Sequence, residues 1–151
     1  MAPALYFAPK RGRRMGKYFQ SNEAAKSHFE AYFNRLVNDS EMRNSILASQ
    51  LSFSFILSGS GSEIGLRVHN GELSLSHGAS NDENDVRVTL KADLLHQLLL
   101  GKLRLMPAIM ARQITARGQM DKQRELGALL FSGREFYQKF LQETNKTDMM
   151  G

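Results

Sequence analysis

The chain of 151 residues contains no cysteine, no tryptophan and only three prolines. Without cysteine, disulfides, thiolate nucleophiles and cysteine-based zinc sites are excluded. The same absence fits a reducing compartment, and a cytoplasmic location is expected. No run of about 18 apolar residues occurs, so no membrane-spanning helix is expected. The apolar stretch at Leu5–Ala8 precedes the first basic residues, the reverse of a secretory leader. The closing residues Met149-Met150-Gly151 do not form a peroxisomal tripeptide. What is present is ordinary for a globular protein: 42% hydrophobic and 23% charged residues in a length that suits one domain.

The formal charge of +5 is unevenly placed. Residues 1–21 hold Lys10, Arg11, Arg13, Arg14 and Lys17 and no acid, whereas the remainder balances bases against acids. A basic arm over 1–21 is therefore expected, a candidate for transient contact with an anionic membrane. Its arginine-rich, acid-free composition makes a mitochondrial matrix location the alternative. A nucleic-acid interface is not expected, because the high isoelectric point belongs to the arm and not to a basic face. Binding of nucleic acid or another anionic surface through the arm is a remote alternative.

The expected domain covers 22–145, with residues 146–151 as a disordered tail. Ala25, Phe29, Tyr32, Phe33, Leu36 and Val37 recur at helical spacing over 22–37, with Ser21 or Asn22 as cap. A short helix from Asp39 or Ser40 to about Ala48 follows. Leu51, Phe53, Phe55 and Leu57 alternate at period two and predict a strand. Ile64, Leu66 and Val68 predict a second, and Asn70-Gly71 is a two-residue hairpin turn leading into Leu73 and Leu75. After a polar loop at 78–85, Val86, Val88 and Leu90 mark a fourth strand. Such hairpin-linked strands imply an antiparallel sheet with one buried face. A leucine-rich helix begins near Ala92-Asp93 and stops at Gly101. Pro107 suits the first turn of a short helix, residues 113–118 read as a fifth strand, Asp121 caps a helix through Phe131, and a last helix runs over 134–143.

Constellations that carry chemistry are missing. His69 and His77 flank one strand on the same face, but no third ligand is indicated, so no metal site is expected. His96 is expected to face solvent beside Asp93 or Gln97. Gly12 and Gly16 are spaced too closely for a phosphate loop, and Tyr18 replaces its Ser or Thr. The acidic run 81–85 lacks the spacing of a calcium loop. Ser52 and Ser54 lack a nucleophile-elbow pattern. No acid–base pair can be assigned, so neither catalysis nor a cofactor is expected.

Four features in order resemble the sterol carrier protein type 2 family. Asn70-Gly71 opens a strand. Asp85-Val86-Arg87-Val88-Thr89-Leu90 leads into Ala92-Asp93-Leu94-Leu95. Leu98-Leu99-Leu100-Gly101-Lys102-Leu103 matches a leucine-rich segment ending in Gly-Lys-Leu. Ala108 to Gly118, then Gln119-Met120-Asp121, matches a short strand and a Gly-x-Met step into a helix. The likeness covers Asn70 to Leu130, extends loosely over 22–69, and leaves 1–21 and the residues beyond about 132 uncovered. Arg112 departs from it, standing where relatives often carry Gly or another small residue.

The resemblance implies an α+β fold: a five-stranded, mostly antiparallel sheet covered on one face by helices, with an apolar tunnel between the layers. It implies a non-enzymatic lipid or sterol carrier that takes fatty acid, acyl-CoA, sterol or isoprenoid, or alternatively an accessory lipid-binding scaffold in ubiquinone synthesis. The expected tunnel lining is Phe53, Phe55, Leu94, Leu98, Leu103, Met106, Ile109, Met110, Met120 and Leu129. Lys102, Arg104 and Arg112 are head-group candidates, and helix 134–143 is a candidate protein-binding surface. Access is expected near 101–112 or 134–145. A guest burying about ten methylenes gains roughly 8 kcal/mol before ordering costs, enough for micromolar affinity.

Overall fold

The computed structural model describes residues 16–77 and 84–150. Five strands form one sheet: β1 (Phe53–Leu57), β2 (Glu63–His69), β3 (Glu72–His77), β4 (Val86–Leu90) and β5 (Thr115–Arg117). Among the described residues six helices accompany it: α1 (Asn22–Val37), α2 (Ser40–Ser49), α3 (Ala92–Leu100), α4 (Leu105–Met110), α5 (Met120–Ser132) and α6 (Arg134–Glu143). A 3₁₀ turn over Thr147–Met150 closes the described chain.

Local chemistry fixes most boundaries. The Ser21 side chain accepts from the Ala24 amide and caps α1. Asp39 does the same for α2 through the Met42 amide. Gly101, at φ 81°, ends α3 in the left-handed conformation that a side chain disfavours. Asn70 and Gly71, both at positive φ, make the tight β2–β3 turn. The cap expected at Asp121 lies two residues earlier, at Gln119, which makes no side-chain capping bond to α5.

The spatial strand order is β3-β2-β1-β4-β5. The sheet is mostly antiparallel, as expected, and only the hairpin order read over residues 51–90 changes, at its last strand. β4 does not extend the meander beside β3; it crosses back and pairs in parallel with β1, Phe53 opposite Val86 and Phe55 opposite Val88. The other three pairings are antiparallel. The crossing is pinned at one end by Asp85, whose carboxylate accepts from the Ser52 amide at 2.9 Å while its own amide donates to the Ser52 carbonyl at 2.8 Å. In this register His69 pairs with Glu72 and His77 with Ile64. The two histidines therefore stand at opposite ends of the hairpin, and the same-face pair considered from the sequence does not form.

Phe53, Phe55, Leu57, Ile64, Leu66, Val86, Val88 and Leu90 share the inner sheet face and are all buried. The helical layer meets them with Phe29, Tyr32, Phe33 and Leu36 of α1, Leu95, Leu98 and Leu99 of α3, and Leu126 and Leu130 of α5. The Phe33 and Phe55 rings stack at 6.0 Å across the two layers. On the opposite sheet face, Glu63 accepts from Ser54 at 2.6 Å and from Arg87 at 3.1 and 3.3 Å, so its buried carboxylate is fully partnered. Among the described residues, no helix is long and apolar enough to cross a membrane.

Both ends of the described chain make contacts with the domain. Of the arm, residues 1–15 lie outside the described residues. Residues 17 and 18 donate their amides to the Asp93 carboxylate at 2.7 and 3.2 Å, and Phe19 is buried in the core. At the other end, the expected tail is ordered: Met149 and Met150 pack against the core, and their carbonyls accept hydrogen bonds.

Candidate functional site

The tunnel expected between the layers is not open. The two layers meet at an apolar seam whose gap is about 20 Å³, room for about one water molecule. Ten residues line it: Tyr32, Phe33 and Leu36 of α1, Met42 and Ile46 of α2, Phe53 of β1, Leu99 of α3, Leu129 and Leu130 of α5, and Gly133. Apart from the Tyr32 hydroxyl, every lining side chain is hydrocarbon or thioether, or is absent at Gly133. Burial holds that tyrosine protonated by pushing its pKa up.

A surface depression of about 400 Å³ lies directly outside the seam and shares Met42 and Leu129 with it. These two side chains stand between gap and solvent. The depression carries Asp39, Glu41 and Glu135 against a single cation, Lys139. Gly133 is the one residue joining α5 to α6, and a Cβ there would come within 3.3 Å of the Met42 Cε. The Met42 side chain thus packs directly against this joint.

The sequence-derived candidates are dispersed by the fold. Phe53 and Leu129 line the seam. Phe55 and Leu98 are buried elsewhere in the same core, and Leu94, Leu103 and Ile109 pack partly buried against it. Met106 lines a groove between α4 and α5, together with Arg104. Met110 and Met120 are 80% and 54% exposed and do not reach the interior. Lys102 donates to the Met150 carbonyl at 2.6 Å, the Arg104 guanidinium lies 3.9 Å from the Phe131 ring centroid, and Arg112 is exposed. None of the three lines the seam or its outer depression. Reading the sequence missed Tyr32, Phe33, Leu36, Met42, Ile46, Leu99 and Leu130 as lining residues; their apolar character was visible, but which apolar face met which was not.

A second buried feature was also missed, and it corrects the placement of His96. This side chain is fully buried, not solvent-facing. Its Nε2 lies 2.6 Å from the Met149 carbonyl oxygen, which can only accept, so Nε2 carries the proton. Its Nδ1 then accepts from the Tyr137 hydroxyl at 2.6 Å. The same hydroxyl oxygen accepts from His28 Nε2 at 2.7 Å, and His28 Nδ1 accepts from the Lys146 ammonium at 3.2 Å. Each group thus donates in one direction, with both rings neutral. Burial lowers the His28 pKa to about 3, reinforced by Lys146 and His96. Burial likewise lowers that of His96, against the raising effects of the Met149 carbonyl and Asp93. Burial raises that of Tyr137. A satisfied chain of neutral groups tethers α1, α3, α6 and the last turn; it presents no open position to a substrate. Among the described residues, no group of three or more His, Asp or Glu side chains could hold a metal.

A search of curated proteins returns no match. Among solved structures, the fold is similar to a ubiquinone synthesis protein described as UbiJ-SCP2 (TM-score 0.54, 16% identity, 76% of this chain and 94% of that one). It is similar to the apo form of Sterol Carrier Protein 2 from Yarrowia lipolytica (TM-score 0.54, 17% identity, 70% and 88%). It is also similar to part of a double mutant of a sec-alkyl sulfatase (TM-score 0.53, 24% identity), covering 66% of this chain but spanning only 16% of the sulfatase. These likenesses establish a shared α+β fold. The family model described as SCP-2 sterol transfer family matches residues 29–131, which run from the first helix of the covering layer to the end of α5. Sheet order, covering helices and this match agree: the chain belongs to the SCP-2 sterol transfer family.

Proposed function

We propose that the chain is a passive lipid-binding domain that admits an apolar guest at the seam between the helical layer and the sheet. The observation that carries this reading is the seam itself: ten converging residues from both layers offer a guest almost no polar partner, and two flexible side chains separate them from solvent. The layers are closed on each other at the seam. Uptake therefore requires α5 and α6 to move off α2 and the sheet, and Gly133 is the joint at which they can do so. The guest's burial offsets that separation, at about 0.8 kcal/mol per methylene. Methionine at the rim adapts to guests of different shape.

The depression outside the seam selects the guest's polar end. Three carboxylates against one ammonium repel a carboxylate or phosphate head and accept a hydroxyl. A sterol or prenol alcohol thus fits better than a fatty acid or acyl-CoA. A prenylated quinone is also uncharged, and the fold shared with a ubiquinone synthesis protein makes a quinone the second candidate guest.

The test uses the full chain with a fluorescent sterol and a fluorescent fatty acid, and native mass spectrometry for stoichiometry. A one-to-one complex with the sterol is expected, with the fatty acid at least about tenfold weaker. Leu129→Trp, which fills the rim, is expected to cut sterol uptake by about tenfold while the protein stays folded. Equal affinity for both probes would place the head group elsewhere. No uptake of sterol, fatty acid or quinone by the folded chain would end the lipid-binding reading.

A further inference from the structure

Three helices and both ends of the described chain converge around Tyr137 of α6. Its hydroxyl accepts from His28 of α1 at 2.7 Å and donates to His96 of α3 at 2.6 Å. Beyond the histidines lie Lys146 and the Met149 carbonyl, at the approach to the last turn and within it. At the other end of the chain, the Tyr18 ring lies 4.3 Å from that of His96. A second polar tie between α1 and α6, the ion pair of Arg35 with Glu143, has side chains 41% and 47% exposed, and exposed pairs contribute little. The buried chain is thus the main directional hold on α6 from α1 and α3.

The bonds of this chain are consistent with neutral rings alone. The Lys146 ammonium can only donate, so a proton on His28 Nδ1 sets donor against donor and charge against charge across 3.2 Å. A second proton on His96 goes to Nδ1. The Tyr137 oxygen then faces two N–H donors, and its own proton loses its acceptor. The two imidazole centroids lie 6.2 Å apart, so two charged rings would also repel. Around His28 stand the rings of Phe19, Phe29 and Phe140, with Tyr137, His96 and Lys146 as polar or charged neighbours. Around His96 stand Tyr18, Phe19, Tyr137 and the Met149 carbonyl, with Asp93 and Lys102 as charged neighbours. Asp93 is the one acid in this set, and its carboxylate already accepts the Lys17 and Tyr18 amides.

We infer that the chain is an acid-operated latch: it holds α6 and the 146–150 turn shut at neutral pH, and its protonation frees them to move about Gly133. With α6 released, the corner over the seam loosens and an apolar guest exchanges faster. That regulation rests on the lipid-binding reading; the latch does not, because its opening is measured without a guest. An exposed histidine takes up a proton below about pH 6.5, whereas burial, Lys146 and His96 lower the pKa of His28 in the shut corner to about 3. Between those limits the open population grows by up to about tenfold per pH unit from His28, with His96 acting in the same direction.

Hydrogen exchange of the full chain at pH 7.5 and 5.0, corrected for the intrinsic pH dependence of exchange, decides it. Both values lie above the range in which ordinary carboxylates titrate. Peptides covering α6 and 146–150 are expected to exchange about 30-fold faster at pH 5.0, with β1, β2 and β4 nearly unchanged. Tyr137→Phe, which keeps the ring and removes the hydroxyl, should exchange fast already at pH 7.5. His28→Gln with His96→Gln keeps donors toward Tyr137 and Met149 but cannot take up a proton, so α6 should lose its response to pH. A fluorescent sterol loaded on the wild type should pass to phosphatidylcholine vesicles faster at pH 5.0, and at one rate in the glutamine variant. Unchanged α6 exchange at pH 5.0 in the wild type overturns the latch, as does a full pH response in the glutamine variant. Opening of α6 without faster sterol transfer overturns the regulation. A chain that takes up no sterol at either pH removes the lipid-binding reading and the regulation built on it, while exchange still decides the latch.

Discussion

Tyr137 is the hinge of the buried hydrogen-bond chain, accepting from His28 and donating to His96. Because both rings are neutral in the folded protein, the chain has a pH signature of defined sign. In the unfolded chain each histidine takes up a proton as the pH falls below about 6.5, whereas folded His28 does so only near 3. The unfolded state therefore binds more protons in that window. Stability is expected to be full above pH 6.5 and to fall as the pH is lowered toward 3, by up to about 1.4 kcal/mol per pH unit from His28, with His96 acting in the same direction. Urea midpoints measured from pH 8 to 4 check this; a midpoint that stays level would mean the rings are not buried and neutral. The sequence hid this network for a physical reason. His96 sits among Leu94, Leu95, Leu98, Leu99 and Leu100, so apolar residues point nearly all round α3 and no polar face is defined. Its partners, Tyr137 and Met149, come from far along the chain. Arg112 is the opposite case. Its left-handed φ of 62° explains why a family resemblance marked the position for a small residue, since a Cβ there costs about 1 kcal/mol.

At the scale of elements, the pattern was legible wherever the cause was local. Ser21, Asp39, Gly101 and Asn70-Gly71 announce their caps and turns, and period-two alternation marks β1 to β4 within a residue or two. Partnership was not local. Alternation says which residues share a face but not which strand lies alongside, and a hairpin reading assumes that neighbours in sequence are neighbours in space. The β3-to-β4 connection breaks that assumption. Asp85 is the residue that fixes the outcome, by closing a two-bond clip with the backbone of Ser52 at the start of the parallel ladder. Asp85→Ala leaves the Ser52 amide without its acceptor and is expected to cost about 1–3 kcal/mol in urea unfolding. Asp85→Asn, which keeps an acceptor oxygen, should recover a large part of the loss. A wild-type midpoint in the alanine variant would show that the clip contributes nothing to the crossing.

The whole molecule divides into a sheet held by long-range pairing and a corner, α5 with α6, joined through a single glycine. The closed seam and the acidic depression lie at this corner. Hydrogen exchange should show that division. Amides of β1, β2 and β4 are expected to exchange only through global unfolding, while those of α5 and α6 open at lower free energy. A bound sterol should slow the second group and leave the first nearly unchanged below saturation of the global limit. Uniform protection across both groups would argue that the corner does not open on its own. The filled seam was beyond the reach of the sequence, which counts apolar side chains but not the space between them.

The parallel pairing at the centre of the sheet also governs how the chain can assemble. β1 and β2 are separated by a five-residue turn and β2 and β3 by two residues, so these three strands can form a meander early. The other edge of β1 must wait for β4, about thirty residues further on, and β5 later still, each closing a larger loop before it gains a partner. Until then β1 presents an unpaired apolar edge. During synthesis or refolding, that edge is where the nascent protein is most exposed to joining another copy of itself.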